Sequence, residues 1–285
     1  MEDTRLKERK KKHEKMELQE EVVGGRVFGK KPRTAVGMGL AQTSSQGMNP
    51  LHTNFQEIGR ELDLMNEKRE RLVKASRDVT IHSKKVIFAV HRISGLNKAA
   101  TLEQAQRDLN AVRSNQVTRL AREMQGNDYW KFRRAFSPGM QEFVEAAATV
   151  EFAKTGRLLT LAELNRSFLH IKDAANKPFE VSIPDYILGV GDLTGELMRL
   201  AVSGIAAGQP EAAISVCNLI RGLYEGFSML PSLQENLRDW KTKSDTMFQS
   251  LMKVETACYN VHVRGSEYPP EMLAGDFEYS RDDHS

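Results

Sequence analysis

The sequence predicts an all-α fold: a single seven-helix bundle with a long first helix and a disordered basic N-terminal tail. Three observations predict it. Apolar residues recur at steps of three and four through successive stretches between Leu51 and Val261. Almost no stretch alternates apolar and polar residues as a half-buried strand would. The composition is 40% hydrophobic and 28% charged, which suits a soluble chain with a real core.

The first helix is expected from Leu51 to about Ile93. Phe55, Ile58, Leu62 and Met65 begin an apolar stripe that Leu72, Val73, Val79, Val86, Ile87, Val90 and Ile93 extend. No Pro or Gly interrupts it after Gly59, so it runs to roughly 40 residues, beyond the usual globular helix. Ser94-Gly95-Leu96-Asn97 ends it. A second helix is expected from Thr101, read as an N-cap with Glu103 and Gln104 behind it, to about Met124. Gly126-Asn127-Asp128 is the next turn.

A third helical region covers Tyr129–Lys154. Within it, either Ser137 caps a new helix with Pro138 at its first position, or Pro138 kinks a continuous one. A short helix is expected over Leu159–Ile171, then a loop or at most a strand pair from Asp173 to Ile183. Pro184 opens a strongly apolar helix reaching Ile205; Glu211–Met229 and Ser232 to about Val261 complete the set, separated by Leu230-Pro231. This organises the chain as a basic tail over 1–50, one helical domain over 51–264 and a polar tail over 265–285.

Charge is unevenly placed. Residues 1–35 carry eleven Lys/Arg against seven Asp/Glu, a charge of +4, so the other 250 residues sum to −1. The body is therefore not a strongly basic nucleic-acid domain, and it should bind RNA with a shallow salt dependence. The tail holds Arg9-Lys10-Lys11-Lys12 and Lys30-Lys31-Pro32-Arg33, clusters that suit nuclear import or phosphate contact. Two cysteines, Cys217 and Cys258, exclude a disulfide framework and lack zinc-site spacing. No apolar run approaches a membrane span, and the charged N-terminus has no secretory pattern. An intracellular protein with no membrane partner is expected.

Two carboxylate pairs carry potential chemistry. Glu142 and Glu145 are three apart; Asp192 and Glu196 are four apart. Each spacing puts both acids on one helical face, where like charges repel. Both pairs are embedded in apolar sequence, where an acid is costly unless it is paired or bound to metal. Four carboxylates from two facing helices would make a hard-oxygen site for Mg²⁺, with Mn²⁺ as the alternative ion. A di-iron bundle would need Glu-x-x-His, and Glu145 and Arg199 stand where its histidines would be. The plainer reading is that Arg134 and Arg199 neutralise the acids. Arg71, Lys74, Arg77, Lys84 and Lys85 on the first helix could follow a phosphate backbone, or form a solvated face. His82 and His91 are too far apart for a helical metal pair, and Gly189-Val190-Gly191 reads as close helix packing.

Several segments resemble the translin family. They are EKRERLVKASRDVTIHSKKVIFAVHR (67–92), QEFVEA (141–146), PDYILGVGDLTGELMR (184–199), YEGFS (224–228) and VETACYNVHVRGSE (254–267). The resemblance covers about residues 55–275. It implies a seven-helix fold and assembly with translin into a closed hetero-octameric shell. In that shell, subunits of this kind act as a Mg²⁺-dependent endoribonuclease on single-stranded or small RNA, with single-stranded DNA also bound. Glu142, Glu145, Asp192 and Glu196 are the implied acidic site, with Glu145 and Glu196 the most direct ligands. Glu142 and Asp192 would complete the site or activate water. The resemblance further implies passenger-strand removal in RNA silencing, tRNA-fragment processing, and residence in cytoplasm and nucleus. A non-catalytic scaffold that stabilises translin and tunes its nucleic-acid binding is the alternative.

Overall fold

The computed structural model describes residues 50–93, 97–124, 129–172, 178–230, 237 and 239–267. The expected basic tail, the turns at Ser94–Leu96 and Gly126–Asp128, and the tail beyond Glu267 lie outside them. Helix α1 is Pro50–His91, α2 Lys98–Ala111, α3 Thr118–Glu123, α4 Tyr129–Thr155, α5 Leu161–Arg166, α6 Ile183–Ala206, α7 Pro210–Ser228 and α8 Trp240–Glu267. A π-helical stretch, Val112–Val117, joins α2 to α3, so the two form one unbroken rod and the rods number seven among the described residues. The only β pairing among those residues is an isolated antiparallel bridge between Lys172 and Pro178.

Long helices form here because each presents one continuous apolar face. On α1 that face is Leu72, Val79, Val86 and Val90, all essentially inaccessible. They pack with Leu109 and Leu120 of the second rod and with Phe136, Met140 and Phe143 of α4. A second cluster joins Leu193, Leu197, Ala201 and Ile205 of α6 to Ile220 of α7 and Val254 of α8. Burying each such large side chain stabilises the fold by about 1.5–3 kcal/mol. Helix α6 is the central rod, in contact with α4, α7 and α8. Near its N-terminal end, Leu188 joins Phe227, Leu237, Trp240 and Met247, with Phe227 and Trp240 stacked at 3.7 Å.

The helix starts follow local chemistry. Ser182 caps α6, its hydroxyl accepting from the Asp185 N–H, with Pro184 in the first turn. Thr160 and Glu163 form a reciprocal capping box on α5. That start, with the Ser167 hydroxyl donating to the Leu164 carbonyl at 2.6 Å, confines the helix expected over Leu159–Ile171 to six residues. Helix α2 begins at Lys98, so Thr101 lies in its first turn rather than at the cap; its N–H donates to Asn97 O at 3.0 Å. Helix α8 begins at Trp240, and the helix start expected at Ser232 lies outside the described residues. Leu237 is non-helical and buried, and its carbonyl accepts from the Trp240 N–H at 3.1 Å. At its other end α8 passes the expected boundary at 264 and reaches Glu267.

Helix α4 runs continuously through Pro138. Proline removes one helical donor and crowds the turn before it. Ser76 of α1 fills the gap: its hydroxyl accepts from the Gly139 N–H at 3.0 Å and donates to Phe136 O at 3.2 Å. Gly139 has to be glycine, since a Cβ there would stand 2.6 Å from the Ser76 carbonyl.

The N-terminal part of α1 departs from the expected core stripe. Leu51, Phe55, Ile58 and Leu62 are exposed, at 61%, 66%, 45% and 56%. Their spacing of four, three and four continues the buried seam outward along an exposed face.

Candidate metal centre

The two acidic pairs stand on two helices that cross closely, α4 and α6. A Cβ at Gly189 of α6 would meet the Gln141 carbonyl at 2.6 Å and the Val144 Cβ at 2.7 Å. Gln141 and Val144 immediately precede Glu142 and Glu145, and Gly189 lies one turn before Asp192. The glycine therefore sets the closeness of the α4–α6 crossing beside all four acids. The tight packing expected of Gly189-Val190-Gly191 is observed.

The structure brings the four carboxylates into one electrostatic group. Glu145 is only 8% exposed, and its carboxyl is pushed up to about 8 by burial, then by Glu142, Asp192 and Glu196. Its carboxylate has no hydrogen-bond or ion-pair partner among the described residues. Glu142 is raised too, by burial first, with Asp192 and Glu196 adding to it and Lys84 opposing at 3.8 Å. Glu196 is instead held below the usual carboxylate range, chiefly because it accepts a hydrogen bond from His91; Nε2 to Oε2 is 2.5 Å. Arg199 lies 3.4 Å from the other Glu196 oxygen. Asp192 pairs with Lys243 of α8, whose ammonium also donates to the Leu188 carbonyl at 3.2 Å.

The donors suit a hard divalent cation: four carboxylates, one of them buried and without an ion-pair partner among the described residues. As they stand, no three His, Cys, Asp or Glu side chains among the described residues are gathered closely enough to share one ion. Lys243 and His91 hold two of the four carboxylates. A cation entering beside Glu145 would replace those partners.

Of the neutralising arginines expected from sequence, Arg199 is in place, whereas Arg134 makes no ion pair among the described residues. The basic residues of α1 divide. Arg71 is bound to Glu123 at 2.9 Å and Lys84 to Glu142, while Lys74, Arg77 and Lys85 are exposed and carry no ion pair among the described residues. Two site residues escape sequence reasoning, His91 and Lys243. His91 carries a weak signal: it is seven after Lys84, on the same face of α1, and both touch the acidic group. Cys217 is buried and Cys258 half-buried, and burial raises both thiols, as expected of inert core cysteines.

The all-helical fold agrees with comparison to known proteins. The model of the Translin family matches residues 67–265. Translin-associated protein X of Pongo abelii is 37% identical over 247 residues, covering 80% of this chain and 84% of that protein. The translin-associated protein X homolog of Schizosaccharomyces pombe is 30% identical over 206 residues, covering 70% and 84%. Human translin is 29% identical over 149 residues, covering 52% and 64%. The chain belongs to the translin family. Among solved structures it is similar to the crystal structure of AfC3PO, with a TM-score of 0.57 and 21% identity over 74% of this chain and 98% of that one. The structure of AfC3PO with duplex RNA gives 0.56 and 20% over 74% and 97%. At that identity the likeness is one of fold, and it agrees with the seven-rod architecture.

Proposed function

We propose that this chain is the catalytic subunit of a translin-containing, Mg²⁺-dependent endoribonuclease acting on single-stranded and small RNA. The single observation that carries the reading is the convergence of Glu142, Glu145, Asp192 and Glu196 beside the α4–α6 crossing, with Glu145 buried and lacking a cation. Glu145 and Glu196 would be the direct ligands, with Glu142 and Asp192 completing the set; Mn²⁺ could replace Mg²⁺. Bound there, the cation supplies activation of a water nucleophile and neutralisation of phosphate charge. The chain's own residues prepare for it. Burial holds Glu145 protonated near neutral pH, so a cation binding there would displace that proton. His91 and Arg199 keep Glu196 ionised, and Lys243 pairs with Asp192. Lys84, exposed at the rim beside Glu142, is placed to meet a phosphate once its carboxylate turns to the metal.

The partner follows from the family and from α1. Its exposed apolar seam, Leu51, Phe55, Ile58 and Leu62, has the four–three spacing of a helix that packs on another helix. A translin subunit is the proposed occupant, and RNA or single-stranded DNA the ligand of the assembly. The relatives named for association with translin and the RNA-bound AfC3PO structure support that reading. Passenger-strand removal, tRNA-fragment processing, and a cytoplasmic and nuclear location stand as parts of the same proposal.

The test is substitution of each of the four acids by Ala in the chain assembled with translin. Loss of RNA cleavage with assembly intact supports catalysis; unchanged cleavage ends it. The scaffold reading has its own observation, since Lys243, His91 and Arg199 already balance part of the acidic charge. It predicts loss of assembly instead.

A further inference from the structure

A second polar site lies away from the acids and shares no residue with them. Ser114, Thr118, Arg122, His170, Ile171 and Lys172 line a recess of about 320 Å³. That is at the small end of the usual range for ligand pockets, about 300–1,000 Å³. It suits a phosphate with its sugar better than a larger molecule. Its chemistry has one sign: a guanidinium, an ammonium and an imidazole, two hydroxyls and no carboxylate. Arg122, His170 and Lys172 are exposed and make no ion pair or hydrogen bond among the described residues. By contrast, Arg71 is paired with Glu123 and Arg119 with Asp78.

The recess is built rather than accidental. One wall is the π-helical stretch and the turn after it. Ser114, Thr118 and Arg122 follow at steps of four, which the wider π turn brings toward a single line. Thr118 locks that turn by donating its hydroxyl to the Arg113 carbonyl at 3.1 Å, so Ser114 is left as the free hydroxyl donor. π-helical turns inside α-helices concentrate at functional sites. The opposite wall is pinned by Ile171, 4% exposed, whose carbonyl accepts from the Phe179 N–H at 2.8 Å. His170 and Lys172 flank that anchor on either side, and the Lys172–Pro178 bridge fixes the second of them. Arg113, over the Phe168 ring at 5.9 Å, adds to the positive field.

We infer that this recess binds a phosphate of an RNA strand, held by Arg122 and Lys172 with hydrogen bonds from Ser114 and His170. Arginine forks and lysine point charges are the side chains phosphate oxygens prefer, and free cations facing a concavity gain more from a multivalent anion than from a single carboxylate. Phosphate contacts fix the register of a strand without reading its sequence. The recess would thus hold the strand while another part of it is presented elsewhere. That the phosphate belongs to RNA rests on the function proposed above; the anion chemistry does not.

The experiment uses the full chain with metal chelated, so that no cleavage enters the measurement. Binding of one oligoribonucleotide, 5′-phosphorylated or 5′-hydroxyl, is followed by fluorescence anisotropy across a salt series. Arg122→Ala and Lys172→Ala should each weaken binding about fivefold to tenfold at low salt and lower the salt slope by about 1, for any sequence. Ser114→Glu, which places a carboxylate in the recess, should weaken it at least as much. Losses confined to the 5′-phosphorylated strand assign a terminal phosphate; equal losses on both strands assign an internal one. In parallel, inorganic phosphate should shift the His170 imidazole resonances of the parent and not those of Arg122→Ala. Unchanged affinity and slope in all three variants, with parent-like melting, would overturn the site. So would loss of assembly with translin at unchanged RNA affinity, which would assign the recess to an acidic protein surface. Because none of these readouts depends on Glu142, Glu145, Asp192 or Glu196, failure of the nuclease proposal and failure of this one are distinguishable.

Discussion

His91 closes α1 with its Nε2 2.5 Å from a Glu196 carboxylate oxygen, across 105 positions of sequence. The contact ties the last turn of the longest helix to the acidic group on the central one. The Glu196 side chain is 13% exposed, so its charge depends on that donor.

Replacing the imidazole should therefore release Glu196. In His91→Ala the Glu196 carboxyl should titrate at a higher pH than in the parent, read by carbon NMR of labelled glutamate. A lowered carboxylate stabilises the fold above its unfolded value and loses that contribution as the pH falls through its folded value. The variant should be destabilised by about 1.5–3 kcal/mol at pH 7, the worth of a hydrogen bond to a charged group, and by much less near pH 3. Equal destabilisation at both pH values would show that His91 acts only by packing.

Glu145 has the opposite sign. Its carboxyl is raised from 4.5 to about 8, so the folded chain keeps a proton that the unfolded chain has released in that window. Stability falls as pH rises between those values. Glu145→Gln should be close to the parent at pH 4.5 and more stable by roughly 2–4 kcal/mol at pH 8.5, measured by urea unfolding. Millimolar Mn²⁺ should close the gap by stabilising the parent alone, since ligand binding to the folded state raises its stability by mass action. A Gln variant that gains equally from the ion would remove Glu145 from the ligand set.

What the sequence makes legible and what it hides follow from the range of the forces involved. Helices α1, α4, α6 and α7 are readable because their apolar faces repeat within a few residues, and Pro184 marks the start of α6 to within a residue. The start of α2 at Lys98 is less legible, because the capping signal at Thr101 lies inside the first turn. The start of α8 depends on the burial of Leu237 and Trp240 together, a tertiary preference. The acids announce themselves by spacing, but their cations do not. His91 and Lys243 reach Glu196 and Asp192 over 105 and 51 positions, and no local pattern encodes either meeting. The exposed half of α1 reads like core, since periodicity reports an apolar face and not what covers it.

Gly189 and Gly195 make a paired test on one helix. At Gly189 a methyl group would collide with the α4 backbone, at 2.6 Å from the Gln141 carbonyl; at Gly195 it would meet nothing within 4 Å. Gly189→Ala must push α4 away from α6, at the cost of overpacking, about 1–3 kcal/mol. It should also weaken RNA cleavage by separating the two acidic pairs. Gly195→Ala should stabilise α6 by about 0.5–1 kcal/mol through helix propensity. Thermal melts of the two variants should move in opposite directions; a common direction would contradict the close crossing.

Asp185 anchors the start of α6 against the start of α4. It is 1% exposed and accepts hydrogen bonds from Ser182 at 2.8 Å, from Tyr129 at 3.3 Å and from Ser137, with the Arg133 guanidinium at 3.2 Å. Four donors, three from α4 and one from the cap of α6, explain how a carboxylate is kept in the interior. Removing it strands a largely buried guanidinium, which costs about 3–5 kcal/mol. Asp185→Ala should lose that much in urea unfolding at pH 7. Arg133→Ala in the same background should recover part of the loss, because the stranded charge goes with it. If the double variant is instead less stable than Asp185→Ala by the full single-site cost of Arg133→Ala, the two residues act independently. The starts of α4 and α6 would then be held together by the hydroxyls of Ser137 and Ser182 rather than by the ion pair.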